Sequence, residues 1–210
     1  KLNIVNEVSL ENYLKSCLTS QFHDEMDEDV MDSIAIVART NALYLVNRKP
    51  HAPWHVEAQE VGYQGYALTL QNLHVDRSID NTKNLILTYQ DQPFAATWTE
   101  DSAGKTADFA AMFRRSVATP RGVQAPFALR DREKHHWSFS LSRQELSKLL
   151  QADKITSLTF NGYGQGYGVG LCLYSANAMA EHGENAKKIL ASFFPETKLQ
   201  NVRAMESKQL

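Results

Sequence analysis

The chain has 210 residues, of which 43% are hydrophobic, and its formal net charge is −2. This length and composition predict one domain with a substantial core. The charge gives no global basic field that would favour nucleic acid, and no apolar run approaches the roughly 18 residues that a membrane span needs. The first residues, KLNIVNEVSL, lack the apolar region of a signal peptide, which leaves the location of the protein open.

Two helices are predicted in the first fifty residues. The first runs from Ser9 to Leu18, with its apolar residues on one face and Ser9 placed to cap its N terminus. The second runs from Glu28 to Asn47, after an acidic run whose carboxylates suit the positive end of a helix dipole. Its wide apolar stripe predicts the central buried helix.

The next segment is predicted to be a loop followed by a hairpin. Residues 48–66 contain two prolines and two glycines, which favour irregular backbone. Leu85 to Tyr89 and Phe94 to Thr97 are apolar runs on either side of a short polar turn, and this spacing predicts two hairpin strands.

Shorter elements fill the second half of the chain. We expect strands at Trp137–Leu141 and Ile155–Phe160, and a short helix between them that begins at the capping box SRQE. Helices should follow from about Tyr174 and Glu184. This mixture predicts a single α+β domain over residues 1–210, with mixed or antiparallel strands, a central buried helix and a glycine-rich strand-to-helix segment.

Four glycines alternate with other residues in the stretch YGQGYGVG, between the last predicted strand and a helix. Glycine permits positive φ and leaves no side chain in the way, so this pattern indicates a close approach of the backbone. The approach could be to a ligand, helped by the unpaired N–H groups of the helix start, or it could serve a tight packing turn. The spacing is not that of a phosphate-binding loop.

The longer stretch FNGYGQGYGVGLCLYSANAMA resembles the C-terminal signature of the stage II sporulation protein D family, which includes amidase-enhancer proteins. Three earlier stretches resemble other blocks of that family in the same order. They are VSLENYLKSCLTSQF, AIVARTNAL and LILTYQDQPFAATWTEDSAGKT. The resemblance covers about residues 8 to 200, and the order of four blocks makes it specific.

The resemblance implies a lytic transglycosylase that cleaves peptidoglycan glycan strands between MurNAc and GlcNAc and prefers strands without stem peptides. Such cleavage requires a carboxylic acid that protonates the leaving oxygen and then takes the proton of the sugar 6-hydroxyl. The catalytic glutamate of the family aligns with Gln21 in this sequence. A glutamine amide has no proton to give near neutral pH, so the chain should bind glycan and not cut it.

Several alternatives follow from Gln21. It could be a natural loss of the acid or an introduced replacement of glutamate. Glu25 and Glu28 could substitute for it, although both suit the start of the second helix. The runner-up function is a non-catalytic module that binds denuded glycan and recruits or stimulates other cell-wall enzymes, and a third is a scaffold in a wall-remodelling complex.

The resemblance also implies a groove for the glycan. The backbone of residues 164–170 should form one wall and offer N–H groups to the sugar, and the turn at residues 102–104 should form the other. His135 and His136, beside Trp137, could stack on a sugar or pack at a strand end. The expected substrate-binding residues are Arg39, Thr40, Ser102, Gly104, Lys105, Gly164, Gly166, Tyr167 and Gly168.

No cofactor and no metal are expected. Some family members carry a metal site of cysteine and histidine, but the matching stretch here has no cysteine, and His51, His55 and Glu57 suit a surface loop better. Cys17 and Cys172 suit burial, although their places in the first and last blocks would allow a disulfide in an oxidising envelope. The expected partners are peptidoglycan glycan strands and other cell-wall hydrolases, which implies an extracytoplasmic location, with no nucleic acid.

Overall fold

A computed structural model describes residues 3–150 and 157–203 of the chain. The helices within these ranges are α1 (Leu10–Thr19), α2 (Glu28–Arg48), α3 (Ala58–Val61), α4 (Leu73–Asn81), α5 (Phe109–Phe113), α6 (Pro126–Arg130), α7 (Arg143–Leu150), α8 (Leu173–Glu181) and α9 (Ala186–Phe193). The strands are β1 (Leu85–Thr88), β2 (Trp98–Thr99), β3 (His136–Ser142), β4 (Ser157–Tyr163), β5 (Leu171–Cys172) and β6 (Lys198–Asn201). The α+β fold class is confirmed.

The two N-terminal helices confirm their predictions closely. The Ser9 hydroxyl accepts the N–H of Asn12 at 3.4 Å and caps α1, and an Asp27 carboxylate oxygen accepts the N–H of Asp29 at 2.9 Å and caps α2. Eleven residues of α2 are buried, from Val30 to Ala42. Helices α1, α4, α8 and α9 and strand β1 all pack against α2, which makes it the central buried helix of the fold.

Three separate two-stranded sheets lie around these helices in the described residues. Strands β1 and β6 are antiparallel, β2 and β5 are parallel, and β3 and β4 are antiparallel. In the last pair Phe139 lies opposite Phe160. Because no sheet exceeds two strands, the helices supply most of the hydrophobic core.

The predicted hairpin between Leu85–Tyr89 and Phe94–Thr97 is wrong. Tyr89 and Gln92 do exchange backbone hydrogen bonds of 2.9 and 3.1 Å and close a tight turn. The chain then enters the core, where Phe94 and the two alanines after it are all buried, and this is not the alternation of a hairpin strand. Strand β1 pairs instead with the distant β6.

The second half of the chain follows the remaining predictions. One Glu145 carboxylate oxygen accepts both the N–H and the hydroxyl of Ser142, at 2.7 and 2.6 Å, which confirms the capping box at the start of α7. Strand β4 confirms the predicted strand from residue 157 onward, and residues 155 and 156 lie outside the described residues. Helices α3, α4, α5 and α6 are not among the predicted helices. Among the described helices, none is long and apolar enough to cross a membrane.

Candidate functional site

Gln21 lies in the turn that ends α1. The N–H groups of Gln21 and Phe22 both donate to the carbonyl of Leu18, at 3.0 and 2.9 Å. The turn is anchored on both sides, since the Phe22 ring packs 5.8 Å from the Trp98 ring and the Phe22 carbonyl accepts from the Asn72 amide at 3.0 Å. The Gln21 side chain itself is exposed, and its amide donates to the Cys17 carbonyl at 3.3 Å.

Gln21 lines a surface groove of about 390 Å³, which we call the Gln21 groove. Its walls come from the turn after α1, the end of β2, the residue before β3, the glycine stretch and the start of α8. The first and last blocks of the sequence therefore meet at one surface. Side chains with hydrogen-bonding groups that line it include Gln21, Asp24, Glu100, His135, Gln165 and Asn177, and the Tyr174 ring adds an aromatic surface.

The glycine stretch is bound along its length to residues 97–107. Asp101 and Gln165 exchange backbone hydrogen bonds of 3.0 and 2.9 Å. The N–H of Leu171 donates to the Thr97 carbonyl at 3.0 Å, and that of Ala107 donates to the Gly168 carbonyl at 2.7 Å. The two backbone segments are in direct contact, and this is the close approach that the glycine pattern predicts.

Three of the four alternating glycines are needed for this contact within the protein. A Cβ atom would lie 2.7 Å from the Asp101 carbonyl oxygen at Gly164, 2.6 Å from the Thr99 hydroxyl at Gly166 and 2.0 Å from the Thr97 carbonyl oxygen at Gly170. At the remaining glycine, Gly168, nothing lies within 4 Å of an added Cβ atom.

The N–H groups at Gly164 and Gly168 also donate inside the protein, to the His135 carbonyl and to the Thr99 hydroxyl, each at 3.0 Å. The expectation that these two N–H groups face a sugar is therefore wrong. The glycines allow the chain to pack on itself. Within this stretch, Gln165 is the residue that lines the groove.

Arg39 and Thr40, which the resemblance assigns to substrate binding, are both fully buried. The Arg39 guanidinium pairs with Glu11 and also donates to backbone carbonyls of Ile79 and Leu85, each at 3.1 Å. The Thr40 hydroxyl accepts the N–H of Leu87 at 2.9 Å. Both side chains thus join α2 to neighbouring elements, and neither is open to a ligand in this structure.

The other expected binding residues do not line the Gln21 groove. The N–H of Ser102 donates to the Cys172 sulfur at 3.4 Å, and Gly104 packs so closely on Leu129 that a Cβ atom would lie 2.7 Å from it. Lys105 lines a separate surface depression, and Tyr167 is 68% exposed, with its ring 5.5 Å from that of Phe113. The turn at residues 102–104 therefore does not line the Gln21 groove, whereas Glu100, shortly before it, does.

One groove residue, His135, pairs with the buried Asp101 behind it, and the sequence does not assign this pair. His135 Nδ1 lies 2.6 Å from an Asp101 carboxylate oxygen, and the second oxygen accepts the N–H of Ala103 at 2.8 Å. The Asp101 side chain is 1% exposed, whereas that of His135 is 33% exposed. The His135 ring also meets the Tyr174 ring edge to face, with centroids 5.9 Å apart.

The remaining candidates from the sequence are two glutamates, a metal site and a disulfide. Glu28 accepts from the Asn81 amide at 2.9 Å, Glu25 lies 3.6 Å from His74, and neither lines the groove. No cluster of three or more histidine, cysteine or acidic side chains that could hold a metal occurs among the described residues. Cys17 and Cys172 are both buried free thiols, so the alternative of a disulfide is not formed.

The fold and groove define an α+β protein with an open surface groove lined by both polar and apolar side chains. Residues 1–89 match the family model of SpoIID, described as stage II sporulation protein, and the chain fits a divergent member of that family. This relationship suggests a role related to the cell wall.

Three uncharacterized proteins are similar to this chain. One from Chlamydia pneumoniae is 41% identical over 86 residues, which are 40% of this chain and 31% of the relative. One from Chlamydia muridarum is 40% identical over 88 residues, or 41% of this chain and 30% of the relative. One from Brachyspira hyodysenteriae is 22% identical over 247 residues, covering 91% of this chain and 66% of the relative. The matched part of the chain spans about a third of the length of the chlamydial proteins.

Proposed function

We propose that this chain binds peptidoglycan glycan strands in the Gln21 groove and that the site is of the lytic transglycosylase type. The observation that carries the proposal is the position of residue 21. It is exposed, and it lines one groove together with Gln165 of the glycine stretch, although 144 positions separate the two residues in the sequence (165 − 21).

The lining of the groove suits a sugar polymer. Amide and carboxylate side chains donate to and accept from sugar hydroxyls and acetamido groups, and the groove presents Gln21, Gln165 and Asn177 as amides and Asp24 and Glu100 as carboxylates. An aromatic ring offers a flat surface for the apolar face of a sugar, and Tyr174 supplies it. The groove is open, as a long strand requires, because the polymer must enter from the side.

Cleavage by the mechanism that the family resemblance implies would use an acid at position 21. The glutamine amide there cannot protonate a leaving oxygen, and it is occupied as a donor to the Cys17 carbonyl. A protonated carboxyl introduced by Gln21→Glu could donate to the same carbonyl or to a bound glycosidic oxygen. The groove also contains Asp24 and Glu100, and nearby like charges favour the protonated form of such a carboxyl.

The second candidate function is a non-catalytic module that binds denuded glycan and recruits or stimulates other cell-wall hydrolases. The amide at position 21 favours it, because the same groove could hold glycan without reacting. Both functions place the protein outside the cytoplasm, in the periplasm or cell envelope, where strands without stem peptides are found.

Binding is tested by sedimentation of the protein with insoluble murein, either intact or stripped of its stem peptides by an amidase. The proposal expects retention on stripped murein several times greater than on intact murein. A bulky replacement in the groove, Asn177→Trp, should reduce that retention at least tenfold without changing the melting temperature. Equal retention on both mureins, or none, would contradict the proposal.

Cleavage is tested by the release of fragments with 1,6-anhydro ends from stripped murein, measured by mass spectrometry. Gln21→Glu should raise the release at least 100-fold over the unsubstituted chain, within the range that a positioned general acid contributes. Gln92→Glu, which makes the same chemical change in the turn after β1, serves as the matched control and should not raise it. If Gln21→Glu binds stripped murein and releases nothing, the non-catalytic module is the correct function.

A further inference from the structure

His135 and Asp101 form a polar pair that the proposed function does not use. The Asp101 carboxylate is almost completely buried, and a buried carboxylate requires hydrogen-bond donors. It has two in this structure, the N–H of Ala103 and Nδ1 of His135. Since an ionised carboxylate only accepts, we assign the hydrogen of the neutral ring to Nδ1, and Nε2 is left for the groove.

The pair is held in place by the backbone around it. Asp101 is joined to Gln165 by two backbone hydrogen bonds, and the His135 carbonyl accepts the N–H of Gly164 at 3.0 Å. The edge-to-face contact with Tyr174 fixes the plane of the ring from another side. The imidazole therefore occupies one position on the groove wall, and a histidine oriented by a carboxylate is a common arrangement for moving protons.

We propose that His135 is an acid–base catalytic residue of the Gln21 groove and that Asp101 is its positioning residue. This inference rests on the proposed function, because it requires a glycan strand in the groove. It supplies what position 21 lacks, since a glutamine cannot donate a proton and a protonated imidazole can. The chain as it stands would then cleave glycan slowly.

In the proposed step, Nε2–H of the protonated ring gives its proton to the oxygen that joins MurNAc to GlcNAc. The bond between that oxygen and C1 of MurNAc breaks, and its electron pair stays on the leaving oxygen. The 6-hydroxyl of the same MurNAc bonds to C1 and passes its proton to Nε2. The ring ends in the form in which it began, and the products are a free GlcNAc 4-hydroxyl and a 1,6-anhydro MurNAc end.

The charges around His135 belong to several elements and act in opposite directions. The buried Asp101 carboxylate compensates the positive charge of the protonated His135 ring. Glu100, Asp24 and His23 line the same groove, and Lys134, the preceding residue, lies 3.3 Å from Asp131. Because the proposed step begins from the protonated ring, cleavage should be faster on the acid side of neutral than above pH 7.

The experiment measures anhydro-end release from stripped murein between pH 4.5 and pH 8, together with binding of the same murein. The unsubstituted chain should release fragments slowly, and His135→Gln should reduce that rate at least 100-fold while binding stays within twofold. His136→Gln is the matched control, because His136 is the next residue and does not line the groove. It should leave both the rate and its pH profile unchanged.

Asp101→Asn keeps the shape of the side chain and removes its charge. It should lower the rate at least tenfold and move the pH profile, whereas a purely structural role would alter the melting temperature and leave the profile in place. A second measurement does not depend on turnover. Addition of a stripped-murein oligosaccharide should shift the Nε2 resonance of His135 in a histidine-labelled sample, and that of His136 should stay in place.

The outcomes separate the two proposals. Retention on stripped murein with equal cleavage by the unsubstituted chain and His135→Gln overturns the role of His135 and leaves the glycan groove intact. The same holds if the unsubstituted chain binds and releases nothing at any pH, whatever Gln21→Glu does. Failure to bind stripped murein overturns the proposed function itself.

Discussion

The guanidinium of Arg39 holds both carboxylate oxygens of Glu11, with Nε 3.1 Å from one oxygen and Nη2 2.8 Å from the other. The pair joins the central helix to α1, 28 residues earlier in the chain. Arg39 is completely buried and Glu11 is 22% exposed, so the charges compensate each other largely out of water. The end of the same α1 leads into the turn that carries Gln21.

Glu11→Gln should therefore destabilise the fold by about 3 kcal/mol, since it leaves a buried guanidinium without its counter-charge. Urea unfolding followed by circular dichroism measures the change. Lys188→Gln removes one partner of an exposed ion pair with Glu184 and should change stability by less than about 0.5 kcal/mol. If Glu11→Gln destabilised the protein as little as Lys188→Gln does, solvent would have to reach the Arg39–Glu11 pair.

Two glycines of the same stretch should respond very differently to alanine. Gly168 and Gly170 both have positive φ, at 66° and 83°, so alanine is strained at either position. At Gly168 nothing lies within 4 Å of the added Cβ atom, and we expect a loss of about 1 kcal/mol from backbone strain alone.

At Gly170 the added atom would lie 2.0 Å from the Thr97 carbonyl oxygen, which also accepts the N–H of Leu171. The β2–β5 pairing must open to admit it, so Gly170→Ala should cost more than about 3 kcal/mol or prevent folding. Thermal melts of the two variants give the comparison. Similar melting temperatures would mean that the glycine stretch does not pack on residue 97.

Local sequence signals were sufficient for the parts of the fold that depend on near neighbours. The N-terminal cap at Ser9 and the capping box of Ser142 with Glu145 each involve residues three positions apart. The apolar stripe of α2 likewise specifies its own burial. These elements, and the placing of Gln21 near the glycine stretch, could be predicted because each rests on a pattern or on an ordered block.

The features that the sequence did not predict depend on contacts between distant parts of the chain. Strand β1 pairs with β6, which starts more than a hundred residues later, and no turn signal announces such a partner. The glycine pattern indicates that backbone comes close, but it does not say to what, and the answer lies in residues 97–101. His135 and Asp101 are 34 residues apart. Asp101 lies in one of the four stretches that resemble the family and His135 lies outside them, so the sequence around one residue gives no signal for the other.

Asp32 should make stability depend on pH. One of its carboxylate oxygens is buried without a hydrogen-bond partner. Burial, with smaller contributions from Glu28 and Asp29, raises the pKa of Asp32 to about 6, against opposing effects of Ser78 and Arg39. Since the ionised form is disfavoured in the folded state, the stability of the protonated form is fully present below about pH 4 and is lost as pH rises through about 6.

Asp32→Asn should therefore stabilise the protein by about 1 kcal/mol at pH 7.5, a value reduced from the full linkage because the side chain is only partly buried. At pH 4 the gain should nearly vanish. Urea unfolding of both proteins at the two pH values measures it, with Asp24→Asn, an exposed carboxylate, as the control. A gain that is the same at both pH values would assign the effect to packing.

The two thiols should be unreactive in the folded protein and both free once it unfolds. Cys17 is 6% exposed and Cys172 is fully buried, where its sulfur accepts the N–H of Ser102. Burial raises the pKa of the Cys17 thiol to about 11, so only about a thousandth of it is thiolate at pH 8, and the thiolate is the reactive form. An aromatic disulfide reagent should label fewer than about 0.1 thiols per chain within minutes in buffer and two in urea. Cys17→Ser should leave one in urea. Labelling of none in urea before reduction, and of two after it, would instead show that Cys17 and Cys172 are joined and that α1 and β5 are covalently linked.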